Sequence, residues 1–114
     1  MSSVQWLFAL WKISKLYKKE KNSYFMKSLC IIVSGKVQGV FFRDSTRRKA
    51  DELELAGYVK NLSNGTVEVV VQGTENKINE LIKFIKNNPG HSKVSDVKIN
   101  YKELEKLDVF EIKD

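Results

Sequence analysis

The sequence predicts an α+β sandwich, an antiparallel sheet with two amphipathic helices packed on one of its faces. Three observations predict it. Apolar residues alternate with period two in several short runs, two stretches between these runs carry apolar residues at helical spacing, and a Ser63-Asn64-Gly65 turn joins two of the alternating runs directly. The resulting order is strand, helix, strand, strand, helix, strand, and 114 residues leave room for one domain with a core of ordinary size.

In Leu29-Cys30-Ile31-Ile32-Val33 the odd-numbered residues share one face and are the candidates for the core, which leaves Cys30 as a passive residue on the other face. The next residues, Gly35-Lys36-Val37-Gln38-Gly39-Val40-Phe41-Phe42-Arg43, form a glycine-bearing turn that opens a helix. Phe42, Thr46, Ala50 and Leu53 recur at helical spacing along that helix, while Asp44, Arg47, Arg48, Lys49, Asp51 and Glu52 form a solvated charged face. A second strand runs from Leu55 to Asn61. Asn64 and Gly65 tolerate positive φ and so favour a hairpin, whose second arm, Thr66 to Gln72, points Val67, Val69 and Val71 inward against Glu68, Val70 and Gln72. Thr74 is an acceptable N-cap for a second helix with its stripe at Ile78, Leu81, Ile82 and Ile85, and Asn88-Pro89-Gly90 stops it. Val97, Ile99 and Tyr101 alternate as a fourth strand, and Val109 to Ile112 offers a short fifth. Two helical crossovers around one hairpin give the ferredoxin-like sandwich, βαββαβ plus a C-terminal strand, a fold that serves enzymes, metal carriers and RNA binders alike.

The net charge of +6 is uneven. Residues 1–25 hold five lysines and one acid, whereas residues 26–114 carry a net charge of only +2, too little for a dense basic nucleic-acid face. No nucleic-acid partner is therefore expected. The apolar run Trp6 to Trp11 is too short to span a bilayer, and lysines follow it rather than precede it, unlike a secretory signal. A basic helix with two tryptophans has the composition of a membrane-surface segment. All the domain signals begin after Met26, however, so residues 1–25 are read as an extension outside the fold, or as a product of an upstream start. The single cysteine, Cys30, permits no internal disulfide, which points to a reducing, cytoplasmic compartment, and a small monomer is expected.

A strand that feeds a glycine-bearing loop and then a helix gathers free backbone N–H groups at the positive end of the helix dipole, a natural seat for phosphate. Arg43 stands in the first helical turn. A cation there is unfavourable unless an anion sits beside it, and a planar guanidinium can clamp two oxygens of one anion.

Gly35 to Arg43 resembles the phosphate-loop signature of the acylphosphatase family, and Gly57-Tyr58-Val59-Lys60-Asn61 with Gly65-Thr66-Val67 resembles its second signature. The resemblance runs from about Ser28 to the C-terminus, so residues 26–114 are identified as an acylphosphatase-like domain. It implies hydrolysis of the carboxyl–phosphate bond of small acyl phosphates to carboxylate and inorganic phosphate, with no metal or organic cofactor. By motif match Arg43 takes the phosphate-binding arginine and Asn61 the asparagine that orients the attacking water. The backbone amides of Lys36, Val37, Gln38, Gly39, Val40, Phe41 and Phe42 complete the cradle. An acyl phosphate has a good carboxylate leaving group, so holding the phosphoryl group, spreading its charge and aiming a water are what catalysis needs, and no protein nucleophile is required.

Paired carboxylates, a His-x-x-x-His pattern, a Walker lysine and a Ser/His/Asp set are all missing from the sequence. His91, the only histidine, falls in the loop after Pro89-Gly90 and is expected to be exposed. Glu54 stands where the family often has glycine, and positive φ would cost a glutamate there about 1 kcal/mol. Two other readings stay open: a single-stranded RNA binder using Gly39-Val40-Phe41-Phe42, and a module that keeps the phosphate cradle without turnover.

Overall fold

The computed structural model describes residues 26–114. The expectations for residues 1–25 lie outside the described residues. Strand β1 (Met26–Lys36) leads to helix α1 (Phe42–Glu52), the hairpin β2 (Ala56–Asn61) and β3 (Val67–Thr74), helix α2 (Glu75–Lys86), β4 (Lys93–Lys102) and β5 (Phe110–Lys113). Among the described residues no helix is long and apolar enough to cross a membrane.

The sheet order is β4-β1-β3-β2-β5. β1 pairs antiparallel with both β3 and β4, and β2 pairs antiparallel with β3. The added fifth strand makes the sheet mixed, because β5 runs parallel to β2. Topology gives the reason. β4 and β5 occupy opposite edges, and the chain between them crosses at the end of the sheet where β4 finishes and β1 begins. A strand delivered there can only run in the direction of β1 and β2. Gln72 fastens the crossing: its Nε2 donates to the Glu105 carbonyl at 2.8 Å and its Oε1 accepts from the Glu105 amide at 3.0 Å.

One cluster forms the core. Leu29, Ile31 and Val33 of β1 and Val67, Val69 and Val71 of β3 meet Phe42 and Ala50 of α1 and Ile78, Leu81 and Ile85 of α2, as their periodicity predicts. Burying each large aliphatic side chain stabilises the fold by roughly 1.5–3 kcal/mol relative to leaving it in water. The opposite face of β3 is drier than strict alternation predicts, since Val70 and Gln72 are buried as well. β3 is a central strand, with Cys30 and Tyr58 beside Val70 in register and the 103–109 crossing held against Gln72. On the edge strand β4, Val97 packs against the core while Ile99 and Tyr101 are exposed.

Helix α1 closes with a left-handed Glu54 at φ 57°. The Leu55 amide donates to the Ala50 carbonyl at 2.8 Å and the Glu54 amide to the Asp51 carbonyl at 3.0 Å, the paired bonds of a Schellman stop. Thr74 takes the N-cap position of α2 in extended conformation but makes no side-chain capping bond.

Candidate active site

The ends of β1, β2 and β5 and the start of α1 lie at one end of the sheet, and the predicted site residues collect there. Arg43 and Asn61 line one cleft of about 310 Å³, together with Val37, Gly39, Phe41 and Phe42 of the loop. Ile112 and Asp44 complete the lining. Other loop residues point elsewhere. Lys36 still pairs with Lys93 of β4, the Val40 side chain enters the core, and the Gln38 side chain leaves the loop for the β2–β3 hairpin.

The loop backbone is built to leave its amides free. Gly39 at φ 71° and Phe41 at φ 62° turn the chain through left-handed conformations, and Phe41 takes the N-cap position of α1 without a side-chain capping bond. The first helical bond is donated by Ser45 to the Phe41 carbonyl at 3.1 Å. Among the described residues, the amides from Val37 to Asp44 have no acceptor. Among the described residues nothing stands within 4 Å of where a Cβ on Gly39 would lie, so the loop is open to them on that side. A run of unpaired N–H groups at a helix N-terminus is an anion seat.

Electrostatics agrees. Asp44 is the only acid in the first turn, and its carboxylate is engaged by Arg48 at 2.9 Å and Arg47 at 3.4 Å, which offsets its charge against an incoming anion. Both arginines lie on the surface face, as their helical positions predict. Arg43 is held from behind: Nη1 donates to the Lys113 main-chain carbonyl at 3.0 Å, with the exposed Asp114 carboxylate 3.9 Å away. Its remaining N–H groups have no acceptor among the described residues. Asn61 ends β2 with a buried Oδ1 that has no hydrogen-bond partner among the described residues. A buried amide oxygen left without a donor is costly, so a donor from a bound molecule or water belongs there.

Two features escaped sequence reasoning. Gln38 Nε2 donates to the carbonyls of Leu62 and Thr66, each at 2.8 Å, and so pins the loop to the hairpin next to Asn61. A lone glutamine among glycines and apolar residues was the available signal. The Arg43–Lys113 contact uses a main-chain oxygen and carries no side-chain signature at all. His91 is exposed in the loop after α2, as expected from sequence, and its ring stands edge-on to Phe41 with centroids 5.9 Å apart.

Comparison with known proteins fits this geometry. The sequence profile of the acylphosphatase family matches residues 29–112. An acylphosphatase of Coxiella burnetii is 47% identical over 87 residues, which cover 76% of this chain and 86% of that protein. Among solved structures, an acylphosphatase from Coxiella burnetii superposes with a TM-score of 0.75 at 42% identity, covering 82% of this chain and 96% of that one. Another from Bacillus subtilis gives a TM-score of 0.75 at 37% identity, covering 79% and 100%. The matched profile spans both the glycine loop with Arg43 and the strand that ends in Asn61, and on it the chain belongs to the acylphosphatase family, enzymes that hydrolyse acyl phosphates.

Proposed function

We propose that this cleft hydrolyses the carboxyl–phosphate bond of small acyl phosphates with a water oriented by Asn61, the phosphoryl group being held by Arg43 and the loop amides. The observation that carries the reading is that one cleft is lined by Arg43, by Asn61 with its orphaned Oδ1, and by residues of a helix-entry loop whose amides have no acceptor among the described residues. The amides and the guanidinium donate to the phosphoryl oxygens, where charge shifts as the P–O bond loosens. Asn61 Oδ1 accepts a hydrogen bond from the water and turns its lone pair toward phosphorus. As the water oxygen bonds to phosphorus, the acyl P–O bond breaks and its electron pair leaves on the carboxylate. The water's protons pass to phosphate and solvent. The protein supplies positioning and fixed dipoles and forms no covalent bond.

The reading includes a monomer in a reducing, cytoplasmic compartment, working without metal or organic cofactor. Stacking on RNA is disfavoured because Phe42 is buried in the core and Phe41 faces the cleft rather than the open sheet face.

The test is hydrolysis of benzoyl phosphate by the full chain, with chelator present, beside Arg43→Ala and Asn61→Ala. Each substitution is expected to lower kcat/KM by about 100-fold or more. Inorganic phosphate is expected to raise the melting temperature of the wild type and of Asn61→Ala but not of Arg43→Ala. Undiminished turnover in either variant would reject the assignment, and phosphate protection without turnover in the wild type would identify a binding module.

A further inference from the structure

Phe41 is out of place by two ordinary standards. It is a large apolar side chain left 68% exposed at the mouth of the cleft, and it holds φ 62°, a left-handed conformation that a bulky residue rarely adopts. Exposure and backbone strain at one position, beside a polar centre, call for a compensating role. The surrounding structure fixes the ring. The His91 amide donates to the Val40 carbonyl at 2.9 Å, and the His91 ring meets Phe41 edge-on at an interplanar angle of 66°. Gly90 makes this approach possible. At φ 65° it lies so close that a Cβ there would stand 2.6 Å from the Val40 carbonyl oxygen and 3.1 Å from that of Phe41. The 90–91 backbone is therefore pressed against the backbone of Val40 and Phe41, and the histidine side chain backs the exposed ring.

Ile112, 40% exposed, lines the same cleft from β5. The cleft thus offers two kinds of surface. Arg43, Asn61 and the amides suit a phosphoryl group, while Phe41 and Ile112 suit an apolar group carried on it.

We propose that Phe41, backed by His91, is the acyl-group platform of this site and selects acyl phosphates whose acyl part is planar and apolar over those with a methyl or charged acyl group. This rests on the reading of the cleft as an acyl-phosphate hydrolase site. A phenyl ring on the carbonyl gains offset or edge contact with Phe41 that a methyl cannot make. Discrimination by a half-open apolar wall is about ten-fold.

The test is the ratio of kcat/KM for benzoyl phosphate to that for acetyl phosphate, measured on the full chain for wild type, Phe41→Asn, Phe41→Tyr and His91→Ala. Comparing ratios between proteins cancels the intrinsic reactivity of the two substrates. Asparagine tolerates the left-handed backbone, so Phe41→Asn removes the ring at least cost to the loop. The expected result is a ratio lowered about ten-fold in Phe41→Asn, restored in Phe41→Tyr and lowered by a smaller factor in His91→Ala. A ratio unchanged in Phe41→Asn, with both substrates slowed alike, overturns the platform and leaves the hydrolase reading standing. A wild type that turns over neither substrate overturns both.

Discussion

The Arg43 guanidinium is anchored by the main-chain carbonyl of Lys113, 3.0 Å from Nη1. This joins the first turn of α1 to the last residue of β5, 70 positions away. The parallel course of β5 beside β2 makes the contact possible, because it brings the C-terminal end of the strand to the same end of the sheet as the loop. A guanidinium held from one side loses less freedom when its other N–H groups take a phosphate. Removing Lys113 and Asp114 is expected to weaken inhibition by inorganic phosphate and to lower kcat/KM about five-fold, the effect of about 1 kcal/mol for a solvent-screened charge-assisted bond. Asp114→Ala alone should have much less effect, since its fully exposed carboxylate stands 3.9 Å from Arg43. Equal losses from the two changes would show that the carboxylate, not the carbonyl, is the anchor.

Glu54 occupies the left-handed position of the Schellman stop that ends α1. Left-handed φ costs a non-glycine residue about 1 kcal/mol, whereas glycine adds roughly 0.5 kcal/mol of chain entropy to the unfolded state. The first effect is the larger. The lost side-chain contact with Lys77, 3.9 Å away on an exposed surface, adds little. Glu54→Gly is therefore expected to raise the melting temperature by about 2–4 °C. A clear fall would mean that the glutamate side chain contributes more than its contacts indicate.

Most of the fold was legible because its core residues follow strict periods. Leu29, Ile31 and Val33, or Ile78, Leu81 and Ile85, need only their spacing to declare a buried face. Arg43 and Asn61, on which the proposed reading turns, stand out in the sequence for a different reason: each falls in a motif, and the structure brings both to one cleft. What was hidden depends on chain path or main-chain atoms. The direction of β5 follows from where the polar 103–109 crossing delivers it, and such a stretch has no period to read. Val70 and Gln72 alternate as surface residues and are covered by neighbours distant in sequence. Lys113 contributes a carbonyl that any residue would supply, and the side chain of Gln38 acts on the hairpin rather than on the loop that contains it.

Tyr58, on the sheet face opposite the helices, donates its hydroxyl to Glu68 Oε1 at 2.5 Å, and burial together with that bond pushes its pKa up to about 12. An unfolded tyrosine ionises near pH 10. The fold thus favours the protonated phenol, so its contribution to stability is complete below about pH 10 and is lost as pH rises through about 12. Denaturant midpoints should fall more steeply between about pH 10 and 12 in the wild type than in Tyr58→Phe, which has no phenol to ionise. At neutral pH Tyr58→Phe should be less stable by about 1 kcal/mol, because Glu68 loses its donor. Parallel curves across the alkaline range would show that Tyr58 ionises freely.

Gln38 gives the sharpest test of how the loop is held against Asn61. Its Nε2 donates one hydrogen to Leu62 O and the other to Thr66 O, while Thr66 O also accepts from the Leu62 amide at 2.9 Å. Both acceptors are carbonyl oxygens, so position 38 must present donors. Gln38→Leu removes both bonds, although Leu62 O keeps the Gly65 amide at 3.2 Å and Thr66 O keeps the Leu62 amide, so the loss is about 1 kcal/mol in loop placement and should lower kcat more than it weakens phosphate inhibition. Gln38→Glu is worse at neutral pH, because a carboxylate would face two carbonyl oxygens with no proton to offer either. Protonation restores one donor, and the carbonyls favour that protonated form. The activity of Gln38→Glu relative to wild type is therefore expected to rise as pH falls from about 8 to 5, starting below Gln38→Leu and converging on it or passing it. A ratio independent of pH, or Gln38→Glu more active than Gln38→Leu at pH 8, would mean that the loop is positioned by its backbone alone and that the Gln38 bonds are incidental.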